Sequence, residues 1–373
     1  MELYVHIPFC RSKCRYCDFA SYPGREGEMA RYVDCLIREA QSYPQGTTIE
    51  TVFIGGGTPS LMPADWMDKL LAFLKTHFTF DGDLEFTCEC NPGTLTPDFL
   101  SVLKKHGCNR LSMGAQAKQK ELLKTLGRIH TWEQVEYSFH MAREAGFANL
   151  SLDLMFGLPG QTLADWQETL QAALDLQPEH LSCYGLIVEE GTPFSALEQA
   201  GQLNLPDEDT ERAMYDHTLT ILTAAGLPPY EISNFAKPGF ECRHNLGYWR
   251  QVPYIGLGAA AHSLLPCPKE QGAYLRRGNT PDLIAYMKGI EANTPLYSEH
   301  AYISPTDAQF ETWMLGLRTT QGVKASQDDL KRYGEVLKKL MDQHLLEDAG
   351  GYYRLTRTGM DVQNQVLVEL MDV

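Results

Sequence analysis

The chain has 373 residues, 43% of them hydrophobic, and a formal net charge of −16 at neutral pH. That length buries one large core plus a smaller appended domain without help from disulfides, and the acidity argues against a nucleic-acid or anionic-membrane partner for the whole molecule. No run of roughly 18 apolar residues could span a bilayer and MELYVHIPFC lacks the basic flank of a signal peptide, so a cytoplasmic location is expected, with the ten cysteines as free thiols.

In chain order, residues 3–7 read as the first strand, followed by HIPFCRSKCRYCDF, which places Cys10, Cys14 and Cys17 on a polar loop. Further strands are predicted over 51–54, 84–88, 110–113, 149–153 and 180–184, recurring with a period of very roughly 30 residues. Between them, Thr96 and Pro97 open a helix that Gly107 closes, and Thr131 with Gln134 forms a capping box before Val135, Phe139 and Ala142. Six strand–helix units fall short of a closed eightfold barrel. The expected fold is therefore an α/β partial (β/α)6 barrel, with function on the loops after the strand ends.

Beyond Pro206, residues 207–225 read as a helix stopped by Gly226, and LPPYEISNFAKPGFECRHNLGYW as irregular chain. Helices are predicted around 310–317 and 336–346, then a hairpin turning at Gly350 and Gly351 and a last short helix. This is a winged-helix-like α+β pattern. The expected organisation is 1–205 as barrel, 206–300 as connecting region and 301–373 as the small C-terminal domain.

Structural zinc takes four ligands, usually as two pairs, and no second pair matches the C-x3-C-x2-C loop; Cys88 and Cys90 sit in a predicted strand. Zinc stays as the alternative. Arg11, Ser12, Lys13 and Arg15 make the loop polar, which disfavours three core cysteines. Three thiolates can hold three irons of a [4Fe–4S] cluster and leave the fourth iron for a small bidentate ligand. The second strand then runs into GGGTPS, where glycines let backbone N–H groups approach a carboxylate; a plain tight turn is the competing reading.

YVHIPFC, CDF, GGGTPS, RLSMGAQ, LGR and SLDLMFGLPGQT together resemble the coproporphyrinogen dehydrogenase family of the radical S-adenosylmethionine (SAM) superfamily. The resemblance runs from Tyr4 into the C-terminal domain. It implies a cluster on Cys10, Cys14 and Cys17, and SAM contacts at Tyr4, Tyr16, Gly56, Gly57, Thr58, Glu89, Gln116, Arg128 and Asp153. Glu89, Gln116 and Asp153 end or follow predicted strands, so their side chains can converge on one mouth.

Two departures narrow the match. The dehydrogenase family carries a fourth cysteine where this chain has Phe19, and an arm before a first strand that here already contains Tyr4. CDF, the early first strand and HNLGYW resemble instead the HemW-type branch, which implies a haem chaperone carrying haem to an acceptor protein. Haem candidates are His244, Asn245, Tyr248 and Trp249. Phe235, Phe240 and Tyr254 supply further aromatic surface, and Arg243 and Arg250 could pair with propionates. Cys242, His262 and Cys267 compete as iron ligands, whereas Cys35, Cys108 and Cys183 read as core. The other reading is an oxygen-independent coproporphyrinogen III dehydrogenase; dehydrogenase activity is not expected, and no catalytic residue is assigned. No nucleic acid and no integral membrane segment are expected, with a peripheral membrane contact left open.

Overall fold

The computed structural model describes residues 1–371. Its strands are β1 (Glu2–Ile7), β2 (Thr48–Gly56), β3 (Thr79–Cys90), β4 (Arg110–Gln116), β5 (Asn149–Phe156), β6 (His180–Gly185), β7 (Asn234–Ala236), β8 (Tyr254–Leu257), β9 (His262–Pro266), β10 (Tyr274–Asn279) and β11 (Tyr297–Ile303). They form one sheet in the order β11-β10-β9-β8-β1-β2-β3-β4-β5-β6-β7. Every pairing from β8 through β1 to β6 is parallel, and antiparallel strands flank this run on both sides. The six predicted strands are β1 to β6, joined by helical crossovers as a partial barrel requires.

Parallel strands covered by helices are apolar on the helix side. Leu3, Val5 and Ile7 of β1 are fully buried in one core with Tyr32, Val33 and Leu36 of the Met29–Ala40 helix. The alternate positions, Glu2, Tyr4 and His6, turn to the barrel interior. The interior is polar at its floor: Thr51, Glu85, Arg110, Ser151 and His180 are buried at inward positions of the neighbouring strands. Helix signals hold where sequence read them, with the predicted capping box at Thr131 and Gln134 and the Thr96 cap on the helix Pro97–Lys105.

Three differences have local causes. The stretch expected to be irregular contains β7 and a two-turn helix, Arg243–Trp249, which closes the barrel floor. Its amide ends are held by a distant carboxylate: Glu85 accepts from the N–H groups of Arg243 at 2.8 Å and His244 at 3.0 Å. The helix expected over 310–317 starts earlier, at Pro305, because Ser304 caps it. The helix expected over 336–346 spans Gln327–Asp342, started by a Ser326/Asp329 capping box, and Leu346 belongs to a strand instead.

Trp313, Tyr333, Leu337 and Val366 centre a second core in the C-terminal part. There a three-stranded antiparallel sheet, ordered Val323–Lys324, Tyr352–Leu355, Leu346–Asp348, packs with helices in the winged-helix-like arrangement expected.

Candidate functional site

The cysteine loop leaves the top of β1 and is held at both ends. Phe9 and Cys10 pair in parallel with Tyr22 and Pro23, the His6 Nε2 lies 2.9 Å from the Ala20 carbonyl, and Arg15 N–H donates to the Leu126 carbonyl at 2.9 Å. Within the loop Cys17 N–H donates to the Cys14 carbonyl at 3.3 Å. The Cys10 thiol lies 3.5 Å from the Thr58 hydroxyl, and the Cys14 sulfur 3.7 Å from the Arg128 guanidinium. Burial pushes the Cys10 and Cys17 thiols up. Among the described residues no three His, Cys, Asp or Glu side chains converge closely enough to hold a single metal ion.

These cysteines line a cavity of about 400 Å³ over the strand C-termini. Tyr16, Gly56, Gly57, Thr58, Glu89, Gln116, Arg128 and Asp153 line the same cavity, so every residue of the predicted SAM set except Tyr4 is brought together there. Gly56 has φ of 111°, and an added Cβ would stand 2.6 Å from the His6 ring; at Gly57 it would meet the Phe9 carbonyl at 2.7 Å and the Cys10 sulfur at 3.0 Å. Only bare backbone fits between the cysteine loop and β2.

The cavity's charges are arranged in opposition. Glu89 accepts from Gly56 N–H at 3.0 Å, and burial first, then the nearby Asp153, raises its pKa to about 8. Asp153 accepts from the Ser112 hydroxyl at 3.0 Å. Across from them Arg128 donates to the Asn91 side-chain oxygen at 2.9 Å and the Gly114 carbonyl at 2.6 Å. Gln116 adopts φ of 57° at the strand end, and its buried Oε1 has no hydrogen-bond partner; nor does the buried Nε of Arg128. Such atoms call for a ligand, since an orphaned buried polar group costs about 1–3 kcal/mol. A small zwitterion fits this chemistry: its cation would meet Glu89 and Asp153, its carboxylate Arg128.

Tyr4 faces a second cavity, of about 590 Å³, beside the loop on the inner face of β1 and β8 to β10. Asp18 and Phe19 line both cavities, and Phe19 is exposed. Of the haem candidates, Tyr248 reaches this second cavity. His244 is buried behind it: Nδ1 lies 2.7 Å from the Thr51 hydroxyl, Nε2 lies 3.0 Å from the Tyr248 hydroxyl, and its ring stacks on Phe53 at 5.1 Å. Burial, and to a smaller extent Arg110, lowers its pKa to about 3. Trp249 sits with the Arg318 guanidinium over its ring, while Asn245 lines neither cavity.

The matches to known proteins follow this division of the chain. Residues 4–173 match the radical SAM superfamily and residues 303–362 the HemN C-terminal domain. A Bacillus subtilis (strain 168) protein named haem chaperone HemW is 38% identical, with 97% of each chain covered. The chain belongs to the HemW family. Its namesake from Escherichia coli (strain K12) is 35% identical over 98% of this chain and 97% of its own. The fold of this HemW-family chain is also that of the solved Escherichia coli coproporphyrinogen III oxidase, a radical SAM enzyme, with a TM-score of 0.83 and 23% identity over 99% of this chain and 89% of that one.

Sequence reading missed the residues that aim the others in this HemW-family site. Asn91 joins Arg128 to Thr58, donating to the Thr58 hydroxyl at 2.8 Å. Ser112 orients Asp153, and His6 holds the loop return at Ala20. Asn91 directly follows β3, a position at which a polar residue at a strand C-terminus could have been singled out. The partners of Ser112 and His6 are set by strand register, for which a lone sequence carries no signal.

Proposed function

We propose that this chain is a haem chaperone of HemW type, which holds a [4Fe–4S] cluster on Cys10, Cys14 and Cys17, binds SAM beside it, and carries haem to an acceptor protein in the cytoplasm. Residues 1–205 supply the cluster and SAM sites, 206–300 the wall on which haem rests, and 301–373 the small C-terminal domain. The observation that carries the reading is one cavity lined by three thiols, a glycine edge without room for side chains, and a half-buried acidic pair together with Arg128. Three thiolates on a cluster bind three different irons, so they need not converge as ligands of one ion do. The remaining iron, when the cluster is bound, offers a site for the amino and carboxylate groups of SAM.

The chain's own residues then have definite tasks. Gly56 and Gly57 let backbone approach the ligand, and Arg128 places a cation 3.7 Å from the Cys14 sulfur. Glu89 is neutral while the cavity holds no cation and gives up its proton when one arrives, because the charge removes part of the penalty that raised its pKa. Haem transport follows the names of the relatives that resemble this chain from end to end. No described helix is long and apolar enough to cross a membrane, so delivery to a membrane acceptor would occur from the surface.

Anaerobic reconstitution followed by titration with ferric haem tests the reading. The expected result is about one four-iron cluster per chain, lost when all three cysteines become Ala, and stoichiometric haem uptake. A normal cluster spectrum in the triple variant, or a wild-type chain that takes up no haem, overturns it.

A further inference from the structure

Arg128, Asn91 and Thr58 line the first cavity and form a chain whose direction is fixed by chemistry. A guanidinium can only donate, so the side-chain oxygen of Asn91 must face Arg128, at 2.9 Å, and the Asn91 amide nitrogen must point the other way. That nitrogen donates to the Thr58 hydroxyl oxygen at 2.8 Å. Accepting from Asn91, Thr58 has its own proton free for the Cys10 sulfur, 3.5 Å away. Donation therefore runs one way, from Arg128 through Asn91 and Thr58 to Cys10.

A second arm leaves the same cation, because another guanidinium nitrogen of Arg128 lies 3.7 Å from the Cys14 sulfur. One charge thus reaches two of the three cysteines, one directly and one through two neutral side chains. The surrounding backbone holds both arms. Asn91 N–H donates to the Ser60 hydroxyl at 3.2 Å, and Arg128 donates to the Gly114 carbonyl at 2.6 Å. At Gly114 a Cβ would stand 2.8 Å from the Arg128 guanidinium and 3.1 Å from the Asn91 oxygen, so β4 leaves space for this pair. Thr58 is 2% exposed, which keeps water from replacing its hydroxyl as the donor.

Hydrogen bonds to the sulfurs of an iron–sulfur cluster are one of the levers that set its reduction potential. An added electron increases the negative charge on those sulfurs, and a donor held against them stabilises it, so the potential rises. Successive hydrogen bonds that share one direction polarise one another, and a cation at the far end strengthens the last of them. Removing the middle member ends that effect.

We propose that Asn91 is a positioning residue that sets the reduction potential of the cluster, relaying the Arg128 charge through Thr58 to Cys10 while Arg128 itself serves Cys14. The proposal rests on the cluster reading above. Asn91 acts through its neighbours: its amide fixes which way the Thr58 proton points and anchors the guanidinium from which both arms start.

Midpoint potentials of the anaerobically reconstituted full chain, titrated without SAM and read by electron paramagnetic resonance, provide the test, with iron and sulfide content measured on the same samples. Asn91→Ala is expected to leave about tenfold less reduced cluster at a given solution potential, a lowering of about 59 mV for one electron. Thr58→Val, which keeps the shape and loses the hydroxyl, should lower the potential as well, and Thr58→Ser should keep the wild-type value. Because both residues serve one chain, the double variant Asn91→Ala/Thr58→Val should shift by less than the sum of the two single shifts. Should Asn91→Ala lose the cluster, Thr58→Val against Thr58→Ser carries the test, and equal potentials in that pair overturn the relay. Wild-type potentials in Asn91→Ala and Thr58→Val at full iron content, or fully additive shifts, would also overturn it and leave the cluster reading intact. A wild-type chain that assembles no four-iron cluster would defeat both together.

Discussion

The Glu2 carboxylate oxygen lies 3.8 Å from the His244 imidazole on the barrel floor, yet the two do not form an ion pair. Burial, with Glu85 nearby, raises the Glu2 pKa to about 8, and burial lowers that of His244 to about 3, so both are neutral at pH 7. A carboxyl raised above its unfolded value contributes stability that is fully present below the unfolded value of about 4.5 and is lost as pH rises through its folded value. Glu2 therefore makes stability fall between about pH 4.5 and 8, whereas His244, held neutral, makes it rise up to about pH 6.5, and Glu2→Gln should remove the Glu2 part of the profile, a change on the order of a few kcal/mol. Glu39 and Glu89, also raised by burial, act in the same direction and keep the remainder. Urea unfolding at several pH values measures it; an unchanged slope in Glu2→Gln would refute the assignment.

Glu85 ties the floor helix to the sheet through two backbone N–H groups and faces the buried Arg110. Glu85→Ala should destabilise the protein by about 3 kcal/mol, because it strands a buried cation as well as two amides. Hydrogen exchange should show the loss first at Arg243 and His244. Uniform exchange along the chain would contradict the local role.

At Gly56, φ of 111° and the 2.6 Å approach of a Cβ to the His6 ring both oppose any side chain. Gly56→Ala should push the His6 ring off the loop return at Ala20, lowering cluster content, and reduce the effect of added SAM on the electron paramagnetic resonance spectrum of the cluster that remains. A wild-type SAM response in this variant would mean that close backbone approach is not needed there.

Phe19, which the resemblance matches to a fourth cysteine of the dehydrogenase family, has an exposed ring that borders both cavities. Oxidative decarboxylation requires a propionate held within a few ångströms of the reacting radical, a positioning demand that one thiol does not meet. Neither wild type nor Phe19→Cys should convert coproporphyrinogen III to protoporphyrinogen anaerobically. Conversion by wild type at the rate of a genuine dehydrogenase would establish the alternative activity.

The barrel was legible wherever strand alternation, caps and helix-stopping glycines fell close together, as from Thr96 to Gly107 and from Thr131 to Gly146. The first cavity could be assembled from motif residues because Gly56, Glu89 and Gln116 sit at strand C-terminal ends, where parallel topology forces convergence, while Tyr16 and Arg128 reach it from loops. Strands β8 to β10 escaped because they are interrupted: β8 contains Gly256, β9 ends at Pro266, and β10 bulges at Gly278 and Asn279. The floor helix escaped for a different reason. Its N-terminal cap is the side chain of Glu85, far away in sequence, so the local residues carry no start signal. Tyr4 and His244 lie on surfaces whose facing partners come from opposite parts of the chain, which only the folded structure aligns.

The position of β1 also bears on biosynthesis. It lies in the middle of the sheet, between β2 and β8, with Glu2 paired to both Thr51 and Tyr254. At about 5–20 residues per second a ribosome delivers β2 within seconds but β8 only after tens of seconds. Throughout that interval the nascent barrel has an unpaired hydrogen-bonding edge on β1, immediately beside the three cysteines, and open edges of this kind recruit other strands. Factors that shield nascent chains would thus be needed most while residues 2–7 await their second neighbour.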